Sequence, residues 1–163
     1  MGILRLTVDL TAQRLSVWEG AHASRHYPVS TAANGPGEIE GSGCTPRGRH
    51  RVRAKIGAGA PAGAVFRARR VSAETPLYTP EAAARFPGRD WITSRILWLS
   101  GLEVGRNRLG CVDSMRRYIY IHGTPHLDTL GRPASHGCVR MRDADVIELF
   151  DLIPVGTEVE LHE

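Results

Sequence analysis

A chain of 163 residues is the size of one ordinary domain, and its 42% apolar and 23% charged residues are a globular mixture rather than a disordered or fibrous one. Its apolar runs, such as Ile96 to Leu99, are far too short to cross a bilayer. Lys and Arg number 21 against 17 Asp and Glu, and the resulting +4 is milder than a nucleic-acid-binding stripe and suits a small anionic substrate equally well. One domain over residues 1–163 is expected, with neither nucleic acid nor membrane as a partner.

The N-terminus, Met1-Gly-Ile-Leu-Arg-Leu-Thr-Val-Asp-Leu, shows no basic leader, long apolar core or small-residue cleavage site. Cys44, Cys111 and Cys138 make an odd set in a chain long enough to fold without disulfides. A cytoplasmic protein with reduced thiols is expected, and a periplasmic one if a leader has been removed.

Thr7 to Leu10 and Arg14 to Trp18 read as a hairpin of two strands, and Ser24 to Thr31 as a third strand. Asn34 to Gly48 is dense in Gly, Pro and Asn and reads as a long loop. Arg47, Arg49, Arg51, Arg53 and Lys55 then fall on alternate positions, so one strand would carry all five cations on one face. Such a face is either solvated or a surface that attracts carboxylates.

Thr79-Pro80-Glu81 supplies an N-cap and a first-turn proline for a helix closed by Pro87-Gly88. Trp91 and Trp98 flank an apolar run and read as core residues. Val146, Ile147, Leu149, Phe150 and Ile153 share one face of a second helix, begun near Asp143 and stopped by Pro154 and Gly156. A strand from Thr157 to Leu161 ends the chain. The predicted class is mainly β, a sandwich or partly closed barrel with short helical caps.

Chemistry converges on Tyr118 to Met141. A β-rich run through Tyr120 ends at His122-Gly123, placing a histidine where a turn begins. Further on, Ser135-His136-Gly137-Cys138 sets a thiol after a glycine that lets successive N–H groups point at one spot, as an oxyanion site requires. A free thiol is mostly protonated at neutral pH, so a nucleophilic Cys138 needs a base. His122 and His136 are the candidates. His122 is preferred, its tautomer fixed by an acceptor such as the Gly123 carbonyl. The rival readings are an inert buried thiol and a zinc site drawn from His122, His126, His136 and Cys138, whose spacing matches no standard zinc pattern.

The His122-Gly123 pair followed by Ser135-His136-Gly137-Cys138-Val139-Arg140 resembles the signature of the L,D-transpeptidase catalytic domain, the YkuD family. Val8-Asp9-Leu10, Gln13-Arg14-Leu15, Tyr27 to Thr31 and Thr45-Pro46-Arg47-Gly48 resemble the family's opening strands and substrate-side turn. The resemblance implies a YkuD-type fold with Cys138 as nucleophile, His122 as base and the Gly123 carbonyl orienting it. It further implies an oxyanion site at the N–H groups around Gly137 and Cys138, shaped by Ser135, His136 and Arg140. Ser135, Arg140 and Tyr120 are expected at the substrate. Many family members have Asn where this chain has Arg140, which could meet a substrate carboxylate.

The implied substrates are peptidoglycan stem peptides or muropeptides, the implied covalent inhibitors are carbapenem β-lactams, and no cofactor or metal is needed. Attack by Cys138 on the meso-diaminopimelate carbonyl would expel the terminal D-Ala and leave a thioester. Water would then complete an L,D-carboxypeptidase cycle, and an amine a transpeptidase cycle. The chain also resembles the small leaderless branch associated with trimming recycled tetrapeptides, in Ala54 to Gly57, Arg89 to Ile92, Ser94 to Gly101 and Asn107 to Gly110. The expectation is therefore an L,D-carboxypeptidase of peptidoglycan recycling, with the transpeptidase as the alternative.

Overall fold

The computed structural model describes residues 3–163. Its first strands, β1 (Leu4–Asp9) and β2 (Arg14–Glu19), pair as an antiparallel hairpin that buries Leu6, Val8, Leu15 and Val17. At the turn the Asp9 Oδ1 accepts the N–H groups of Thr11 and Ala12, at 3.0 and 2.8 Å, a local closure typical of aspartate. β1 starts earlier than Thr7 because Arg5 to Asp9 also pair with the C-terminal strand.

Strand β3 (His22–Pro28) lines β2 and stops short of the expected Thr31, at a proline that has no N–H to continue a ladder. The chain beyond it turns to a different partner. The Ser30 N–H donates to the Arg140 carbonyl at 3.0 Å and the Arg140 N–H returns to Ser30 at 2.8 Å. Gln13 pins this segment from the other side, its amide bonded to both the Thr31 hydroxyl and the Thr31 N–H.

After the Gly-rich loop, β4 (Gly48–Ile56) carries the alternating cations, but not on one face. A bulge between Val52 and Ala54 shifts its register against the neighbouring strand, and one extra residue reverses the alternation. Arg51 pairs with Ser100, whereas Lys55 pairs with Leu97 and lies over the Phe150 ring on the opposite, core-facing side. Arg47 precedes the strand and is bound to Glu38 and Glu163.

A two-residue hairpin, β5 (Phe66–Arg67) and β6 (Arg70–Val71), turns through Ala68 and Arg69, both at positive φ. Helix α1 (Pro80–Arg85) is capped by Thr79 as expected. β7 (Thr93–Gly101), β8 (Tyr120–Thr124), β9 (Val139–Arg142), α2 (Asp143–Leu152) and β10 (Glu158–His162) complete the order. No strand is legible in the sequence at β5, β6, β7 or β9.

Eight strands form one sheet, ordered β3-β2-β1-β10-β4-β7-β8-β9. The Ser30–Arg140 bridge brings its two ends together, so the sheet curls into the partly closed barrel anticipated from the sequence. Inside the curl, Leu97, Leu99, Ile121, Val139 and Met141 pack on Val146, Leu149 and Phe150 of α2. The other face of β7 and β8 carries Ile96, Trp98 and Tyr120, packed with Phe66 and Cys138. Trp91 lies in a third cluster with Val65 and Ala82.

His50 of β4 is fully buried, with Nδ1 3.0 Å from the Gly48 carbonyl and Nε2 2.8 Å from the Ser114 hydroxyl. A neutral ring satisfies both contacts, Nδ1–H donating and Nε2 accepting. Burial pushes its pKa down to about 4. The unfolded chain protonates the ring near ~6.5, so as pH falls toward 4 it takes up a proton the folded state refuses, costing roughly 3 kcal/mol. Urea unfolding of wild type and His50→Gln at pH 7 and pH 4 tests this. The wild type loses about 3 kcal/mol more than the variant over that interval, and parallel losses would show that the ring is not held neutral.

Candidate active site

Parallel pairing of β8 with β9 aligns Ile121 with Val139, His122 with Arg140 and Gly123 with Met141. Side chains alternate along each strand, so the core-facing Ile121, Val139 and Met141 leave Tyr120, His122, Cys138 and Arg140 together on the other face. Cys138 stands beside Tyr120 and diagonal to His122, within reach of long side chains. The strand runs on to Thr124, so His122 lies within it and not at its end, because the β9 ladder continues past the expected turn.

His122 is buried, and its Nδ1 lies 2.6 Å from the Gly123 carbonyl. That carbonyl can only accept, so Nδ1 carries the proton and Nε2 is left as a base. Cys138 is half-buried, and its sulfur lies 3.3 Å from both the Tyr120 N–H and the Tyr118 carbonyl. The carbonyl accepts from a thiol, and the N–H donates to the sulfur in either state. Tyr118 takes a positive φ of 56° in the turn that presents this carbonyl.

The turn before Cys138 is held by its own groups. Ser135 is buried, donating to the Cys138 carbonyl at 2.6 Å and accepting from the Gly137 N–H at 3.2 Å. Gly137 has φ 135°, a backbone conformation that favours glycine, and a Cβ there would sit 3.1 Å from the Cys44 carbonyl, a tight contact. Thr45 donates to the Gly137 carbonyl at 2.9 Å. With the Gly137 N–H occupied by Ser135, the Cys138 N–H has no protein acceptor among the described residues and remains for an incoming oxygen.

The other expected residues are placed differently. Arg140 is buried and bonded through Nη2 to Asp90 at 2.9 Å, so its charge is met within the protein rather than held open. His136 projects outward, with 79% of its side chain exposed and Nδ1 3.3 Å from the same Asp90. Asp90 was missed as a site residue. No local pattern in Arg89 to Ile92 announces its position between Arg140, His136 and the field of His122. Trp98, read as core, walls the site with Tyr118 and Tyr120, and Arg69 from the β5–β6 turn lies over Trp98 and Tyr118 and donates to the Tyr120 hydroxyl at 3.1 Å.

Charge favours a resting neutral pair. Burial pushes the Cys138 thiol up, against smaller opposing pulls from the Tyr120 N–H, Arg140 and Arg117. Burial pushes His122 down, partly offset by the Gly123 carbonyl and Asp90. Asp90 is held below the usual carboxylate range, its burial outweighed by the charge His122 carries when protonated, together with Arg140 and His136. A raised thiol beside a lowered imidazole means that the sulfur surrenders its proton only as it attacks. No three His, Cys, Asp or Glu side chains among the described residues group as a metal site.

The family model of the L,D-transpeptidase catalytic domain, YkuD, matches residues 4–161. A putative L,D-transpeptidase YkuD of Bacillus licheniformis is 39% identical over 46 residues, 28% of this chain and 28% of the relative, so the match spans well under two thirds of that protein. Among solved structures, an L,D-transpeptidase from Xylanimonas cellulosilytica superposes with TM-score 0.63 at 20% identity, covering 99% of this chain and 61% of that one. L,D-transpeptidase 3 from Mycobacterium tuberculosis, solved with a faropenem-derived adduct, gives TM-score 0.56 at 14% identity, covering 98% and 60%.

The neutral pair has a direct readout. In a Cys44→Ser/Cys111→Ser background, the iodoacetamide rate at Cys138 rises about tenfold per pH unit from pH 6.5 to 8.5 without levelling. A plateau at or below pH 7 would mean a preformed thiolate and would overturn the neutral pair.

Proposed function

This chain belongs to the YkuD family of L,D-transpeptidase catalytic domains, and from that premise we propose that Cys138 transfers the acyl group of a peptidoglycan stem peptide. The observation that carries this reading is the single-face arrangement of His122 on β8 and Cys138 immediately before its parallel neighbour β9, with His122 Nε2 left free as base. As the sulfur bonds to the carbonyl carbon of the third stem residue, its proton passes to Nε2. The carbonyl oxygen becomes an oxyanion facing the Cys138 N–H. Collapse breaks the C–N bond, the Nε2 proton leaves with the D-Ala amine, and a thioester remains. An acceptor amine then attacks the thioester carbon, forming the new C–N bond and giving its proton to Nε2; the C–S bond breaks and the Nε2 proton passes to the sulfur, restoring the thiol.

Gly137 and Ser135 serve this cycle by shaping the turn, and Asp90 and Arg140 by fixing the field beside His122. β-Lactams, carbapenems included, open on the same sulfur and leave a stable acyl-enzyme, a reading supported by the faropenem-derived adduct on the Mycobacterium tuberculosis protein. An amine acceptor is favoured by the family. Water as acceptor, which makes the enzyme an L,D-carboxypeptidase of recycled muropeptides, is the second reading. It is supported by the unpaired state of Cys44, Cys111 and Cys138, which suits a reducing compartment such as the cytoplasm.

The test is mass spectrometry of disaccharide tetrapeptide incubated with enzyme, with and without a labelled D-amino acid. Label incorporation or cross-linked dimer marks the transpeptidase, whereas tripeptide in both conditions marks the carboxypeptidase. Cys138→Ala abolishes either product, and His122→Ala lowers the rate by roughly 10²–10⁴-fold. Full turnover by Cys138→Ala would overturn the acyl-enzyme reading.

A further inference from the structure

The row of cations on β4 has a use that the acyl-transfer centre leaves unexplained. Arg47 and Arg49 are spoken for, bound to Glu38, Glu163 and Glu158. Arg51 and Arg53 form no ion pair or side-chain hydrogen bond to any described residue, and neither do Arg108 and Arg116, which the loop after β7 brings beside them. These four arginines line a recess of about 250 Å³. The one carboxylate in its wall, Asp113, accepts the backbone N–H groups of Leu109 and Arg116 at 2.7 and 2.9 Å. Four cations against one engaged anion leave a local excess of positive charge.

The recess is held in shape from beneath. Asn107, fully buried, donates to the carbonyls of Arg47 and Arg49 at 3.0 and 3.1 Å and accepts the Glu103 N–H at 3.0 Å. Ser114 is bonded to the buried His50. Arg108 and Arg116 thus spring from a loop whose backbone is anchored to β4, which places them beside Arg51 and Arg53. Cations gathered without partners repel one another, an arrangement that an anion relieves.

Its position relates it to the reacting sulfur. Arg51 pairs with Ser100, Ser100 lies two residues from Trp98, Trp98 pairs with Tyr120, and Tyr120 stands beside Cys138. All are on one face of the sheet. Three strand spacings separate the arginines from Cys138, roughly 14 Å, the span of about four extended residues.

Resting on the acyl-transfer reading above, we propose that the Arg51, Arg53, Arg108 and Arg116 recess binds an oxyanion group of the substrate, a carboxylate or phosphate, about four residues' length from the carbonyl that Cys138 attacks. It anchors the remote end of the substrate and so acts on binding rather than on the chemical step. Arginine suits both groups, since its planar fork matches either in a bidentate pair.

The test uses the full chain, with Arg51→Gln/Arg108→Gln and Arg53→Gln/Arg116→Gln as independent pairs and Arg14→Gln, at an exposed arginine on β2, as the control for loss of an arginine outside the recess. Inorganic pyrophosphate, titrated calorimetrically, binds each double variant at least tenfold more weakly than wild type and binds Arg14→Gln within twofold. In turnover of disaccharide tetrapeptide, each double variant raises KM at least fivefold and leaves kcat within twofold. Sensitivity seen only with a substrate phosphorylated at its sugar end assigns the anion to phosphate, and sensitivity lost when the stem carboxylates are amidated assigns it to carboxylate. Equal losses in Arg14→Gln, or pyrophosphate binding and KM both unchanged in the double variants, would overturn the proposal. The binding arm needs no turnover, so it stands or falls separately from the acyl-transfer reading, which fails if Cys138 is not acylated by a β-lactam.

Discussion

Parallel pairing of β8 with β9 is the constraint on which the rest depends. Parallel neighbours cannot be joined by a tight turn, so the chain must leave β8, cross over and return before it can lay down Cys138. β9 is short, Val139–Arg142, and does not hold its register alone. Arg140 is secured on three sides: by the ladder to His122, by the two backbone bonds to Ser30, and by the Asp90 carboxylate on its side chain. The bridge that curls the sheet is thus the same one that seats the strand after the nucleophile. A change at Ser30 would reach the sulfur without touching it.

Electrostatics around the site are built from few groups used more than once. Asp90 faces Arg140, His136 and His122 together, and it is the acid that tempers the burial of His122 while opposing ionisation of Cys138. Ser135 both receives the Gly137 N–H and grips the Cys138 carbonyl, so one hydroxyl closes the turn and leaves a single backbone donor at its mouth. Preorganisation of this kind carries backbone strain, visible in the positive φ of Tyr118 beside the sulfur.

Much of this was legible in the sequence where a local signal carried it. Thr79-Pro80 and Pro87-Gly88 bound the first helix, Asp143 and Pro154 the second, and the His-Gly and Ser-His-Gly-Cys blocks located the site. Failures arose where a distant partner decides. Alternation in Arg47 to Lys55 could not disclose a bulge, which answers to the register of β7. Trp98 reads as core by composition, yet its face of β7 is the one that Cys138 shares. Arg140 and Ser135 look open to substrate until Asp90 and the turn carbonyl occupy them, and Asp90 lies in a segment with no motif of its own.

A neutral thiol at rest also bears on what the protein survives. Peroxides attack the thiolate, and the first step toward sulfenic acid is slow for a sulfur that keeps its proton. Cys138 donates that proton to the Tyr118 carbonyl and gives it up only when a carbonyl carbon arrives to share the charge. Reactivity is thereby made conditional on occupancy, and oxidants that find the site empty meet a poor nucleophile.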